Sequence, residues 1–184
     1  VTLLNINTGE EEILPLPGKP GEPKIWGEKV IYRNFQDNTI NLYDLEKKEN
    51  KVLGKGYRPR ISEKWAVWMT TAGVFQSMYL PSGEKKTIEL GRAPYNDYAL
   101  AKGILVASVG KENEEDIYAY DLKNDRKVLV SNLPDRERFV STDGRYIVWK
   151  GPIKKEEFEP FPNRPVARYT IYSNIYLFDL RKGK

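Results

Sequence analysis

Ile40-Asn-Leu-Tyr-Asp-Leu-Glu46 and Ile117-Tyr-Ala-Tyr-Asp-Leu-Lys123 are two spellings of one phrase. Altered forms return as Ser77-Met-Tyr-Leu-Pro-Ser-Gly83, as Ile175-Tyr-Leu-Phe-Asp-Leu-Arg181 and, degraded, as Thr2-Leu-Leu-Asn-Ile-Asn-Thr8. Each is an apolar, aromatic-rich strand that runs into a polar turn, and a second short strand follows, as in Lys51-Val-Leu or Arg126-Lys-Val-Leu. The unit is therefore a hairpin. Asp44 and Asp121 lie 77 positions apart, with Pro81 between them 37 positions after Asp44. That period is close to the roughly 40–45 residues of a four-stranded propeller blade. The expected fold is all-β, a partial β-propeller of about four to five blades, each a four-stranded antiparallel sheet.

The rest of the chain parses in the same grammar. Residues 1–16 make a half blade of two strands about Asn7-Thr-Gly-Glu10, where Gly9 supplies the positive φ of a tight hairpin. The prolines and glycines of residues 15–23 read as a strand-hostile connector. Blades are then expected at about 23–54, 59–90, 97–131 and 138–184, the last incomplete. Pro59-Arg60-Ile61 lies 36 positions after Pro23-Lys24-Ile25, and Trp68 lies 36 after Tyr32, so the register holds over two strands. The third strand then occurs in both the first and the last unit. A simple five-bladed closure would leave residues 174–180 surplus, and an open edge of that kind invites pairing with another chain.

Val140-Ser-Thr-Asp-Gly-Arg-Tyr-Ile-Val-Trp149 resembles the Ser-Pro-Asp-Gly-Lys-x-Ile-x-Phe opening of TolB-type propeller blades, and Ile175-Tyr-Leu-Phe-Asp-Leu180 resembles their third strand. Thr142 stands where that family usually has Pro, and Gly27-Glu28, Glu63-Lys64 and Lys102-Gly103 replace the Asp-Gly of the opening turn. The resemblance implies a fold and a role, not an activity: a periplasmic or cell-surface binding scaffold, or the substrate-gating propeller of a prolyl-oligopeptidase-like serine peptidase. It favours an extracytoplasmic location, with a cytoplasmic one left open.

Composition removes several chemistries. The 184 residues include no cysteine and no histidine. A disulfide framework, a Cys/His metal site and a His-based triad are thus outside the reach of this chain. Only a carboxylate mechanism of the glycosidase kind remains, and Asp97 alone lies near the start of an inner strand, where two acids are needed. No cofactor or metal is expected. The 30 Lys and Arg against 26 Asp and Glu give a net charge of +4, scattered in pairs such as Lys47-Lys48 and Lys154-Lys155. This is a solvated surface rather than a nucleic-acid footprint. Mixed charge at 30% with little Met is the balance of hot environments. The longest uncharged apolar stretch, residues 103–110, is strand-sized, so no membrane span is expected. Val1 opens in mid-strand, which predicts a natural start upstream and targeting signals with it.

Asp44, Asp121 and Asp179 follow an aromatic at a strand end and are expected to cap the hairpin backbone as Asx turns. Glu112, Glu114, Glu115 and Asp116 lack the spacing of a calcium loop and read as a solvated hairpin tip. Trp26, Trp65, Trp68 and Trp149, with Tyr32 and Tyr146, are expected to pack between sheets. Two groups of ligand-binding candidates remain. Lys24, Arg60, Tyr98 and Arg138 open successive inner strands and would rim a central channel, as a positive funnel or as residues turned between blades. Residues 151–173 form an insertion about twenty residues longer than its equivalents, carrying Phe158, Phe161, Arg164, Arg168, Tyr169 and Tyr172 among four prolines. A protein or peptide is the expected partner, a glycan the alternative.

Overall fold

A computed structural model describes residues 1–91, 97–111, 114–133, 136–152 and 173–183. Among them every regular element is a strand. Sheet I holds β1 (Thr2–Leu4) and β2 (Glu11–Ile13). Sheet II holds β3 (Pro20–Trp26), β4 (Lys29–Asn34), β5 (Thr39–Asp44) and β6 (Glu49–Lys55). Sheet III holds β7 (Tyr57–Ser62), β8 (Trp65–Met69), β9 (Phe75–Tyr79) and β10 (Glu84–Ile88). Sheet IV holds β11 (Tyr98–Ala101), β12 (Ile104–Lys111), β13 (Glu114–Asp121) and β14 (Arg126–Ser131), and sheet V holds β15 (Arg138–Thr142), β16 (Tyr146–Pro152) and β17 (Ser173–Asp179). All pairs are antiparallel and strand order follows the chain, as short hairpins require.

Strand periodicity decides which sheet each side chain meets. Along β8, Ala66 and Trp68 pack with Ile31, Ile40 and Leu53 of sheet II, whereas Val67 and Met69 pack with Leu105, Ala107 and Val109 of sheet IV. Along β12, Val106 turns the other way, to Val140, Ile147 and Trp149 of sheet V. Leu3 and Leu14 of the N-terminal half blade cover Val30, Tyr32 and Tyr43. Sheets II, III and IV are thus apolar on both faces and each stacks between two neighbours, giving four seams rather than one core. Each buried aliphatic side chain contributes about 1.5–3 kcal/mol. The first strands β3, β7, β11 and β15 lie side by side along the inner rim. The series of five sheets does not close.

The Asx turns form as expected. Asp44 Oδ1 accepts from the Lys47 amide at 3.1 Å, Asp121 Oδ1 from the Lys123 and Asn124 amides at 3.0 and 3.1 Å, and Asp179 Oδ1 from the Arg181 amide at 3.0 Å. Asn5 does the same for the Asn7 amide in the degraded first copy.

Three expectations need correction. Pro20 and Pro23 belong to β3 rather than to a connector, because β3 pairs on one edge only and a bulge carries Glu22 and Pro23 out of the ladder. Trp26 is 48% exposed, unlike Trp68 and Trp149. It ends β3, where the equivalent positions hold the small residues Ser62 and Ala101. Finally, Glu115 is not at a solvated tip: it lies within β13, fully buried, paired with Arg138 at 2.9 Å.

Candidate functional site

The bulge that displaces Pro23 recurs. In β3 the pairing shifts between Gly21 and Lys24, in β7 between Tyr57 and Arg60, and in β15 between Arg138 and Ser141. The first residue out of the ladder is left-handed each time: Glu22 (φ 53°), Arg58 (φ 51°) and Phe139 (φ 58°). Asp97 occupies the same position ahead of β11. These four residues make a row along the rim where outer strands cross to the next inner strand. An extra residue in a bulge presents an unpaired amide, and carboxylates of the row take it. Glu22 Oε2 accepts from the Arg58 amide at 2.6 Å. Asp97 Oδ2 accepts from the Phe139 amide and, at 3.4 Å, from the Val140 amide. The Tyr98 hydroxyl donates to the Arg58 carbonyl.

The sequence candidates are distributed unevenly against this row. Lys24 is exposed, its ammonium donating to the Pro23 carbonyl at 3.2 Å. Arg60, its equivalent in β7, lies between sheets with its guanidinium 5.1 Å from the centre of the Tyr98 ring. Tyr98 is buried, one position earlier in the frame, and Arg138 lies three positions earlier, across the bulge. Arg60 and Arg138 are therefore engaged between sheets. Arg164, Arg168 and Tyr169, with most of the insertion, lie outside the described residues, as does Glu112.

Sequence reading missed the row itself, although the Pro23/Pro59 match one position beyond Glu22 and Arg58 was its trace. It also missed two exposed aromatics on the same crossover face. Phe35, in the turn after β4, lies over Gly21 with Arg33 4.8 Å from its ring centre. Phe139 is 70% exposed, with Lys150 5.8 Å from its ring centre.

Behind Phe139, the seam between sheets IV and V buries ionisable groups. Glu137 Oε1 accepts from the Trp149 indole at 2.7 Å, and its carbonyl accepts from Ser108 Oγ at 2.6 Å. Burial pushes the Glu137 carboxyl above the usual range, partly offset by its hydrogen bonds. Burial likewise raises Asp97, opposed by the Phe139 and Val140 amides and the Arg138 charge. Burial also drives the Tyr98 hydroxyl upward, so it stays a neutral donor. No cluster of three His, Cys, Asp or Glu suited to a metal occurs among the described residues.

No protein-family profile and no curated protein sequence matches the chain. Solved structures do. The tricorn protease superposes with a TM-score of 0.62 at 13% identity, over 100% of this chain and 19% of that one. The β-propeller domain of the Trilobed protease from Pyrococcus furiosus gives 0.62 at 17%, over 87% and 54%. Hsv2 of Kluyveromyces lactis gives 0.64 at 14%, over 80% and 50%. The fold is a β-propeller. This propeller spans about half or less of each of those chains, and identities this low speak to fold alone. The geometry of a shared frame with different surfaces is what a repeat scaffold provides, so function has to be sought in the exposed side chains of the rim.

Proposed function

We propose that this propeller is a non-catalytic binding or scaffold module that engages a protein or peptide on its crossover face. The observation that carries the reading is the pair of exposed aromatics, Phe35 and Phe139, each beside a cation, on a rim where Glu22, Asp97 and Tyr98 are committed to bonds between sheets. Aromatic and arginine side chains are the residues enriched at protein interfaces. The chemistry favoured is a segment carrying both apolar and acidic side chains.

A second reading, the gating propeller of a serine peptidase, is favoured by the names of similar structures. These include the tricorn and Trilobed proteases and the Pyrococcus horikoshii acylaminoacyl peptidase, the last at TM-score 0.56 and 18% identity. In that role the same rim would meet peptides in passage and the hydrolytic groups would lie elsewhere.

Fluorescence titration with labelled short peptides in acidic-aromatic, basic and neutral pools, and with an oligosaccharide pool, tests the proposal. Saturable binding to the acidic-aromatic pool, weakened about fivefold or more by Phe35→Ala/Phe139→Ala, is expected. Preference for the oligosaccharide pool, or binding indifferent to both substitutions, contradicts it.

A further inference from the structure

A repeat fold carries its own control: a side chain that departs from its equivalents in the other sheets, without serving a seam, is not explained by the fold. Arg33 is such a residue. It pairs with Ile40 as Met69 pairs with Phe75 and Ser108 with Ile117, so the three occupy one position of the shared frame. Met69 is 1% exposed and packs against sheet IV, and Ser108 Oγ reaches the Glu137 carbonyl ahead of sheet V. Arg33 puts a cation there instead. Sheets II and III each have all four strands, so neither end of the series accounts for it.

The polar and ring contacts of Arg33 among the described residues stay within sheet II and its turns. Nη2 donates to Asn38 Oδ1 at 2.6 Å, a neutral acceptor that leaves the charge uncancelled. The guanidinium lies 4.8 Å from the centre of the Phe35 ring. Nη1 is 3.9 Å from Glu22 Oε1, and the other oxygen of that carboxylate is held by the Arg58 amide. Nε is buried and donates to nothing. Desolvating a cation at a seam costs free energy, and no bond to sheet III offsets it.

Phe35 is fixed as closely as Arg33. Its amide donates to the Lys19 carbonyl at 2.9 Å, and its ring lies against Gly21, where a Cβ would come within 2.0 Å of it. Even so, Phe35 remains 43% exposed. Lys19 and Lys55, which flank the same turn, are exposed cations. Asp37, the acid of that turn, gives Oδ1 to the amide and hydroxyl of Thr39.

We propose that Arg33 is the specificity residue of the crossover face: its guanidinium takes a carboxylate of the bound peptide while the open side of Phe35 takes the neighbouring apolar side chain. This rests on the peptide-binding reading above and adds which side chain selects the acid. The planar fork of a guanidinium matches a carboxylate in geometry, whereas Lys19 and Lys55 are flexible point charges that attract acids without orienting them.

Fluorescence titration with two labelled peptides tests this, one alternating Glu and Phe, the other with Gln in place of each Glu. The unmodified protein is expected to prefer the Glu peptide by about tenfold, as a hydrogen bond to a charged group allows. Arg33→Met installs the residue of sheet III. The preference should then fall to about twofold or less, with thermal melting unchanged or raised because the seam loses a buried charge. Arg33→Lys should recover only part of the preference, and Lys19→Gln/Lys55→Gln should lower it by less than Arg33→Met does. The proposal is overturned if Arg33→Met keeps the preference, or if the two lysine replacements abolish it as fully. It is overturned equally if Arg33→Met lowers melting by about 4 °C or more, which would make Arg33 a residue of the fold. Saturable binding without preference for the Glu peptide overturns it and leaves the peptide-binding reading standing. Absence of saturable binding to either peptide overturns both.

Discussion

Arg138→Leu is expected to cost far more than its place near a strand end suggests. Its guanidinium meets Glu115 at 2.9 Å, and the two side chains are 17% and 0% exposed. Removing the cation leaves a carboxylate sealed between sheets IV and V, and breaking such a pair from one side costs about 3–5 kcal/mol. Arg138 also lowers the Asp97 carboxyl, so its loss is felt at a second buried acid. With Arg138 partly solvated, the lower end, about 3 kcal/mol, is the better expectation. The double replacement Glu115→Leu/Arg138→Leu removes both charges, and well-packed apolar substitutes for a buried pair are often neutral or stabilising. Glu115 Oε2 accepts no hydrogen bond among the described residues, which makes the pair easier to replace. Urea unfolding followed by intrinsic fluorescence, to which Trp149 in the same seam contributes, reads the effect. At a slope of about 2–3 kcal/mol per molar urea, the single variant should lose about 1–1.5 M in midpoint and the double should regain most of it. A single variant within about 0.3 M of the unmodified protein, or a double variant no better than the single, refutes the picture of a buried pair.

Further expectations follow from the same structure. Apparent melting of the intact protein should lie above about 90 °C, because mixed surface ion pairs such as Lys29 with Asp44 and Arg145 with Asp179 gain value as ion desolvation becomes cheaper with heat; a calorimetric transition near 50 °C would count against this. Trp68→Ala should destabilise by about 3–5 kcal/mol in chemical denaturation, since Trp68 is 1% exposed between sheets II and III and its loss leaves a cavity. The raised Asp97 and Glu137 carboxyls should make the seam of sheets IV and V less stable with rising pH. For an acid whose folded pKa exceeds its unfolded one, the stabilisation is full below the unfolded value and fades as pH climbs through the folded one. The urea midpoint of the unmodified protein relative to Asp97→Asn should therefore fall as pH rises above the ordinary carboxylate range, and a difference that rises instead contradicts the burial of Asp97. Asp44, Asp143 and Asp179, lowered by their hydrogen bonds, act in the opposite sense, their contribution being lost as pH falls.

The parts of the fold written in the sequence are those set by local chemistry. The aromatic strand followed by Asp needs only its own turn amides, so Asp44, Asp121 and Asp179 announced the third strand of sheets II, IV and V directly. The continuous apolar run of residues 65–69 was likewise legible as a strand, and the structure buries it on both faces. What escaped is set between sheets. Glu115 looks like its solvated neighbour Glu114 until Arg138, 23 positions later, arrives across a seam. The rim bulges hide because each substitutes a different residue, Glu22, Arg58 or Phe139, for a backbone geometry that leaves no fixed side-chain signature. Lys24, Arg60, Tyr98 and Arg138 were aligned by charge and strand order, and one uncounted bulge suffices to put them on different sides of the rim.

The five sheets form an open series whose first and last members stay apart. The chain has no cysteine, so pairs introduced for spin labelling report without background. Glu11→Cys with Asn174→Cys places labels on sheets I and V, and Val52→Cys with Lys85→Cys places them on the adjacent sheets II and III as a reference. Dipolar distances are measured with labelled protein diluted into unlabelled protein, so that only pairs within one molecule contribute. Stacked sheets are about 10 Å apart, and the reference pair should report that spacing plus the reach of the labels. An open series predicts a distance for sheets I and V at least about twice the reference, whereas a distance equal to the reference would mean that the ring closes on itself.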